Sequence, residues 1–465
     1  MIGPSRRLRL TTGALATLAI CCAAGVAWVV WRLGPIGAGY VAKTVCSGVF
    51  VSGRDVQEVY DIDVVADNHP LLRLTRVRVD AAGRRVHATF LGMHRRSASH
   101  VPDAGCTLDP QAGQAHARAA RSPTVPADTR TLPAPLPQAP DRAVQGVLDR
   151  TLSDSGPRTR ALVVMQHGRI LAQAYAPGIG PDTPLPGWSM SKTVTAVLAG
   201  IVVQAQHLRL DRAALLPQWA GDARRGITLD HLLRMTDGLV FDERSGDPFS
   251  DVVTMLLNRP DAAGFAADKP LDSTPGSAWR YSSGTTNVLM RVIVQASGRP
   301  STAFADFPRD ALFQPLGMRT ATIEPDRTGL PVGSSYMHAG AHDWMRFGQF
   351  LLQDGIWQGR RLLPQGWVHY LTTPTRLSGA RRFGAHLWLA VPAQYQGDAP
   401  SRVPMPTDAF HAVGHEGQLL SVIPSHAAVV LRLGLTRAPH RWDHQSFLAR
   451  VLAALQQEVV TAPSR

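Results

Sequence analysis

The chain has 465 residues, 45% of them apolar, which is more than one domain of ordinary size needs and enough to build a large core. Its formal net charge is +13, but the arginines are scattered and no nucleic-acid-binding motif accompanies them. The charge therefore predicts a solvated basic surface and no nucleic-acid partner. Of the 48 basic residues 45 are Arg, and the lysines are only Lys43, Lys192 and Lys269. A lysine inside a motif is thus informative.

The N-terminus has the pattern of a membrane anchor. Three arginines lie within residues 1–9, and residues 10–31 carry no charge before Arg32. About 20 apolar residues span a bilayer, and positive charge before the span favours a cytoplasmic N-terminus. We expect residues 1–9 to be cytoplasmic and residues 10–31 to be a single-pass signal anchor in a bacterial inner membrane. The rest would be periplasmic or extracellular, and a cleaved export signal, the alternative, gives the same compartment.

Four cysteines are present, of which Cys21 and Cys22 lie in the apolar stretch. The other two, Cys46 and Cys106, flank one small segment. In an oxidising compartment such a pair predicts a disulfide, with two unrelated buried thiols as the alternative.

Composition divides the remainder into three parts. Residues 46–106 contain two alternating runs, 71–79 and 85–91, around a turn at 80–83, and predict a small β-containing segment. Residues 107–140 are rich in Pro, Ala and Gln and predict an extended linker. Residues 141–460 form the large domain.

The large domain begins and ends with strand patterns. A helix at 143–152 and a hairpin at 161–175 open it, while a hairpin at 418–433 and an amphipathic helix close it. Helical and loop-rich sequence lies between. The predicted fold class is therefore α+β: an antiparallel sheet flanked by the terminal helices, with an all-helical subdomain and the active site in the cleft between them.

The segment Trp188-Ser189-Met190-Ser191-Lys192 precedes an apolar helical stretch. Residues three apart on a helix share a face, so the Lys192 amine reaches the Ser189 hydroxyl. A serine needs a neighbour to take its proton, and a lysine serves only if its pKa is lowered. The helix start offers the Ser189 backbone N–H to an oxyanion. Alone, this spacing also fits a capping serine beside a surface lysine.

Two further segments accompany it in order, Tyr281-Ser282-Ser283 and His415-Glu416-Gly417. Together the three resemble the motifs of the serine β-lactamase and penicillin-recognising superfamily. The resemblance is to its class C-like branch, which includes esterases, D-aminopeptidases and 6-aminohexanoate-dimer hydrolase, and it covers about residues 141–460.

The resemblance implies a role for each matching residue. Ser189 would be the nucleophile, Lys192 its base and Tyr281 the proton shuttle to the leaving group. The backbone N–H groups of Ser189 and Gln418 would form the oxyanion hole, and Ser283, His415 and Gly417 would bind substrate. No metal and no cofactor is expected. Because His415 stands where β-lactamases have lysine, the sequence predicts an amide or ester hydrolase and not a strong β-lactamase.

Other interpretations fit less well. His411 and His415 have a zinc-like spacing only on a helix, which the flanking glycines disfavour. Residues 187–191 nearly match a nucleophile elbow, but Ser191 stands where glycine is required. Two function classes remain: a membrane-anchored serine hydrolase acting on a small amide, ester or peptide, and a non-catalytic penicillin-binding-like sensor or cell-wall binding protein. D-Ala-D-Ala carboxypeptidase and weak β-lactamase activities are the enzyme alternatives.

Overall fold

The computed structural model describes residues 4–109, 140–154, 156, 158–379, 382–397 and 404–461, and their side chains except 4–16, 23, 26, 29 and 457–461. Most of the predicted linker, residues 110–139, lies outside this set, as do residues 1–3 of the predicted cytoplasmic segment. The fold is of mixed α and β structure with antiparallel sheets. The predicted α+β class is confirmed.

The N-terminal elements form a unit of their own. They are helix α1 (Pro4–Cys46), the short helix α2 (Val56–Glu58), a π-helical segment (Val59–Val65), and strands β1 (Thr75–Asp80), β2 (Arg85–Phe90), β3 (His94–Val101) and β4 (Gly105–Leu108). The four strands pair antiparallel in sequence order, and the C-terminal part of α1 packs on β2 and β3. Val41, Val45, Val86 and Phe90 are among the buried residues between them. We call residues 33–109 the N-terminal module.

Two details differ from the sequence patterns. Helix α1 continues past the predicted end of the apolar stretch at Trp31, through Pro35 to Cys46. Residues 71–74, predicted as strand, form a turn of 3₁₀-helix that begins at Pro70, because proline at a first helical position presets the helical φ. The predicted span 10–31 lies in α1. Within the described residues, no helix combines the length and apolar composition that crossing a membrane requires.

The predicted disulfide is present. Cys46 at the end of α1 is bonded to Cys106 on β4, and the two Cα atoms are 6.1 Å apart. The bond fastens the helix to the last strand of the N-terminal module. Cys21 and Cys22 are free and exposed.

Removing this disulfide should destabilise the N-terminal module. The bond joins residues 60 apart, and a closed loop of that size stabilises by about 4 kcal/mol in the chain-entropy model. We expect Cys46→Ala/Cys106→Ala to lower the free energy of unfolding by about this amount, measured by urea denaturation. Cys21→Ala/Cys22→Ala is the matched control. An unchanged unfolding midpoint in the first variant would contradict the prediction.

The large domain follows residue 140. Its elements in chain order are α3 (Arg142–Ser153), β5 (Thr159–Gln166), β6 (Arg169–Tyr175), β7 (Leu185–Pro186), α4 (Met190–Gln204), α5 (Leu229–Arg234), α6 (Asp251–Asn258), α7 (Ala262–Ala267), α8 (Ser283–Ala296), α9 (Gln314–Leu316), β8 (Thr322–Ile323), β9 (Met337–Ala339), α10 (Ala341–Leu352), β10 (Ile356–Trp357), β11 (Arg360–Arg361), α11 (Trp367–Thr372), β12 (Phe410–Gly414), β13 (Gln418–Ile423), β14 (Ala428–Gly434) and α12 (His444–Thr461).

The two ends of the domain meet in one antiparallel sheet of order β12-β13-β14-β5-β6. The hairpin predicted at 161–175 turns at His167-Gly168, and both residues have positive φ, the backbone twist that tight hairpins need. One face of the sheet, with Leu162 and Val430, packs on α3 and α12. The other, with Val163 and Leu420, packs toward α4, α10 and the helical part. The sheet edge at β12 and the start of α4 therefore meet at the cleft.

Candidate active site

Ser189 lies at the start of α4, on the wall of the cleft. The helix is buried almost throughout, since it is apolar on all sides and crosses the core. Trp188, just before it, has φ +48°, in the left-handed region. A non-glycine residue there costs about 1–2 kcal/mol and persists only where its surroundings hold it. The Ser189 side chain makes no cap hydrogen bond and is half-buried, so its hydroxyl is available to a substrate.

Lys192 lies directly behind the serine. Its Nζ is 2.9 Å from Ser189 Oγ, 2.9 Å from Ser283 Oγ and 3.0 Å from the Ser334 carbonyl oxygen. The residue is 1% exposed. Burial lowers the pKa of Lys192 to about 8, opposed by the nearby Glu243 carboxylate, which raises it. The amine therefore loses its proton in a pH range where an exposed lysine keeps it.

Tyr281 completes the group of residues predicted to be catalytic. The Lys192 Nζ lies 4.9 Å from the centre of its ring, and a hydrogen bond joins its side chain to Ser189. Burial raises the pKa of Tyr281 above its usual value, and Glu243 raises it further. Its phenol is thus protonated at neutral pH. The neutral Lys192 amine, and not a phenolate, is the base that this geometry offers to Ser189.

Glu243 is a site residue that the sequence patterns do not predict. Its carboxylate accepts hydrogen bonds from the Ser283 backbone N–H at 2.7 Å and from Ser283 Oγ at 2.5 Å. Burial raises the pKa of Glu243, while Lys192 lowers it. The Ser283 hydroxyl therefore hydrogen-bonds to both the Lys192 amine and the Glu243 carboxylate. It links these two groups and is less available to a substrate than a free hydroxyl would be.

The third predicted segment forms the turn between β12 and β13. The His415 side chain is exposed and its ring lies 5.6 Å from the Trp188 ring, so it is placed at the cleft. Gly417 does not face the cleft. Its N–H donates to Tyr395 Oη at 3.1 Å, and its carbonyl oxygen accepts a hydrogen bond from Arg432 at 2.8 Å. Gly417 is held behind the turn and supports it.

The hydrogen-bond alternation of β12 decides which backbone N–H groups face the cleft. Both backbone groups of His411 bond to Trp388 on the outer edge, at 2.8 and 2.9 Å, and Trp388 contacts Tyr281. Successive residues of a strand point their N–H groups to opposite sides. The N–H of His415 therefore faces the same edge as that of His411. Gln418 pairs with Gly414 in the register of β12 and β13, so its N–H is directed into the sheet and not into the cleft.

The model of the Beta-lactamase family matches residues 144–453, about two thirds of the chain. The chain belongs to the beta-lactamase family. The superfamily predicted from the three motifs is thus confirmed, and with it the class of serine hydrolase.

Individual members of the beta-lactamase family extend the comparison. A 6-aminohexanoate-dimer hydrolase from Paenarthrobacter ureafaciens is 27% identical over 224 residues, 45% of this chain and 56% of that protein. The chain thus spans little more than half the length of this curated relative.

Two solved structures of the same fold are similar. A protein provisionally named as a 6-aminohexanoate-dimer hydrolase from Bacillus anthracis is 19% identical, with a TM-score of 0.55 over 68% of this chain and 83% of that one. EstCE1, described as a hydrolase with promiscuous acyltransferase activity, is 19% identical, with a TM-score of 0.52 over 67% and 97%. At these identities they show the fold alone.

The pKa of Lys192 predicts the pH dependence of this beta-lactamase family member. The amine must be neutral to accept the serine proton, so the acylation rate should rise with pH through a midpoint near 8. The measurement is kcat/KM for a p-nitrophenyl ester from about pH 6 to about pH 9.5. A rate that is flat or falls across the neutral region would contradict this assignment of the base.

Glu243 should influence the midpoint of the pH dependence of acylation. Its negative charge raises the pKa of Lys192, so Glu243→Gln should move the midpoint of the pH profile downward. Asp242→Asn is the matched control, since the Asp242 carboxylate is paired with Arg244 at 2.7 Å. We expect it to leave the midpoint in place. An upward shift or no shift in Glu243→Gln would contradict the effect on the pKa of Lys192 that is assigned to Glu243.

Proposed function

We propose that the protein hydrolyses an amide or ester bond through an acyl-serine intermediate on Ser189. The observation that carries this is the Lys192 amine, buried, 2.9 Å from the Ser189 hydroxyl, with its pKa lowered to about 8. A buried lysine that only stabilised the fold would gain from a carboxylate partner. The three hydrogen-bond partners of Lys192 are two hydroxyls and a carbonyl oxygen and not a carboxylate, so its burial favours the neutral, proton-accepting amine.

Acylation then proceeds in one sequence. Ser189 Oγ attacks the substrate carbonyl carbon while its proton passes to Lys192 Nζ. The resulting tetrahedral oxyanion forms at the junction of the α4 start and the β12 edge. The Ser189 N–H and the helix dipole stabilise it from one side. We assign the second donor to the His415 N–H in place of Gln418, because the register of β12 directs the Gln418 N–H into the sheet.

The leaving group requires a proton when it is an amine. Tyr281, whose raised pKa keeps it protonated, lies beside Ser189 and Lys192 and donates that proton. The bond between the carbonyl carbon and the amine nitrogen breaks, and the Lys192 ammonium, whose Nζ lies 4.9 Å from the centre of the Tyr281 ring, returns a proton to the Tyr281 phenolate. Water then attacks the acyl-serine with the proton transfers reversed, releasing the acid and restoring Ser189.

The side chains around the cleft favour an apolar, linear substrate. Tyr281 and Trp388, both partly exposed, form an aromatic wall with ring centres 5.8 Å apart, and the buried Phe383 packs behind them. Together with the similarity to a 6-aminohexanoate-dimer hydrolase, this supports short linear amides and esters as substrates. His415 in place of lysine supplies no permanent cation for the carboxylate of a penicillin.

The test is a substrate panel with the full chain and its Ser189→Ala variant. The panel contains a p-nitrophenyl butyrate ester, the linear dimer of 6-aminohexanoate, a D-amino-acid peptide and a chromogenic cephalosporin. We expect turnover of the first two, little of the cephalosporin, and none in the variant. Covalent labelling of Ser189 without turnover of any substrate would favour the non-catalytic sensor.

We also propose that residues 10–31 are a single-pass anchor in a bacterial inner membrane and that the enzyme lies on its outer side. The support for this is the uncharged stretch behind three arginines and the Cys46–Cys106 bond, of a kind that persists in oxidising compartments. Carbonate extraction of membranes from expressing cells tests it. We expect the protein to stay in the pellet, and its full release would contradict the anchor.

A further inference from the structure

Arg437 connects the N-terminal module to the turn that carries His415. One guanidinium nitrogen donates to the Ala66 carbonyl oxygen at 2.9 Å and another to that of Asp63 at 2.7 Å. These carbonyls belong to the C-terminal end of the π-helical segment Val59–Val65 and the residue after it. On its other side, Arg437 Nε donates to Glu416 Oε1 at 2.5 Å. The arginine side chain is 9% exposed and that of Glu416 5%. Arg437 and Glu416 therefore form a buried ion pair and not a surface one.

Glu416 continues the connection to the nucleophile. Its second carboxylate oxygen, Oε2, accepts a hydrogen bond from Trp188 Nε1 at 3.2 Å, and Trp188 immediately precedes Ser189. The Glu416 carboxylate thus contacts the N-terminal module through Arg437 and the turn before α4 through the Trp188 indole. Glu416 itself belongs to the turn after β12.

The turns at Glu416 and at Trp188 are both strained and need contacts that stabilise them. Glu416 has φ +60° and Trp188 φ +48°; neither is glycine, so each conformation costs free energy that the surroundings must offset. The Glu416 backbone is fastened by its carbonyl, which accepts from the Thr436 N–H at 2.9 Å and from Arg432 at 3.1 Å. Its side chain is fastened by Arg437. The N–H groups of Ser189 and His415 lie next to these two strained residues.

We propose that the N-terminal module is a positioning part of the active site, which acts through Arg437 and Glu416 to hold the Ser189 and His415 backbone donors at a fixed separation. The inference rests on the proposed function, because it concerns the oxyanion donors of that reaction. The module lies outside residues 144–453, the part that matches the family. It is therefore a feature of this chain that the family match does not assign. Arg437 and Glu416 act through the turns and do not touch the reacting atoms.

The experiment compares Arg437→Gln with Arg158→Gln in the full chain. Arg158 pairs with Asp67 beside the same stretch of the N-terminal module and does not contact Glu416 in the described residues, so it is the matched control. Misplaced donors lower kcat without weakening substrate binding. We expect Arg437→Gln to lower kcat for the p-nitrophenyl ester about 10- to 100-fold with little change in KM. Arg158→Gln should stay within about twofold of the wild type.

A second variant covers the case in which Arg437→Gln fails to fold. Trp188→Phe removes the indole N–H that Glu416 accepts and leaves Arg437 in place, and it should also lower kcat more than it changes KM. Wild-type kcat in a folded Arg437→Gln protein, or in Trp188→Phe if the first is unfolded, overturns the inference while the proposed function stands. If the wild type neither turns over an ester nor labels at Ser189, the proposed function itself has failed.

Discussion

Lys192→Arg should abolish acylation, lowering kcat/KM for esters and amides by about 10⁴- to 10⁶-fold, the loss seen when one member of a catalytic unit is removed. Arginine keeps the positive charge and the hydrogen-bond donors, but its guanidinium does not give up a proton near neutral pH. The substitution therefore separates two roles of Lys192: hydrogen-bond donation, which arginine keeps, and proton acceptance, which it loses. If the amine only orients Ser189 and Ser283, arginine retains most of the activity. If it accepts the Ser189 proton, arginine retains none.

The control for this variant is Lys269→Arg. Lys269 pairs with Asp251 at 2.5 Å on α6 and is partly exposed, so the same chemical change there should leave kcat/KM within about twofold of the wild type. Thermal unfolding of both variants shows whether the larger guanidinium disturbs the core around residue 192. A folded Lys192→Arg protein with near-normal rates would refute the assignment of the base.

Tyr281→Phe should slow amide hydrolysis about 10²- to 10³-fold, the usual contribution of a positioned acid or base. Phenylalanine keeps the ring contacts with Phe383 and Trp388 and removes only the hydroxyl. An amine leaves as a neutral molecule only if it is protonated, whereas p-nitrophenolate leaves as the anion. The same variant should therefore lose much less activity toward the p-nitrophenyl ester. The ratio of the two losses measures proton donation to the leaving group.

Tyr370→Phe provides the comparison, since the Tyr370 hydroxyl donates to Asp230 at 2.7 Å on α5, in a contact that involves none of the proposed catalytic residues. We expect no difference between its amide and ester rates. Equal losses on both substrates in Tyr281→Phe would mean that the hydroxyl acts before the leaving group departs, for example by orienting Ser189.

The sequence predicts the fold and the centre of the site because both depend on local patterns. Alternating strands at the two ends of the large domain are enough to predict one sheet that joins them, as β5, β6, β13 and β14 do. The Ser189 and Lys192 pair needs only the helix period. In a chain with three lysines, that spacing carries more information than usual.

The parts that the sequence does not predict depend on contacts between distant segments. Glu243 lies in a loop with other acids, Asp242 and Asp247, and nothing local distinguishes the one that turns toward Ser283. Whether Gln418 or His415 offers its N–H to the cleft depends on strand register, in which a shift of one residue reverses every direction. Arg437 is one of 45 arginines, and its contact with Asp63 joins residues far apart in the chain.

The most direct test is the site of covalent modification by a fluorophosphonate probe, read by intact mass and peptide mapping of the full chain. We predict one adduct on Ser189, formed faster as the pH rises through about 8, and none in Ser189→Ala. An adduct on another residue, or labelling that persists in Ser189→Ala, would contradict it.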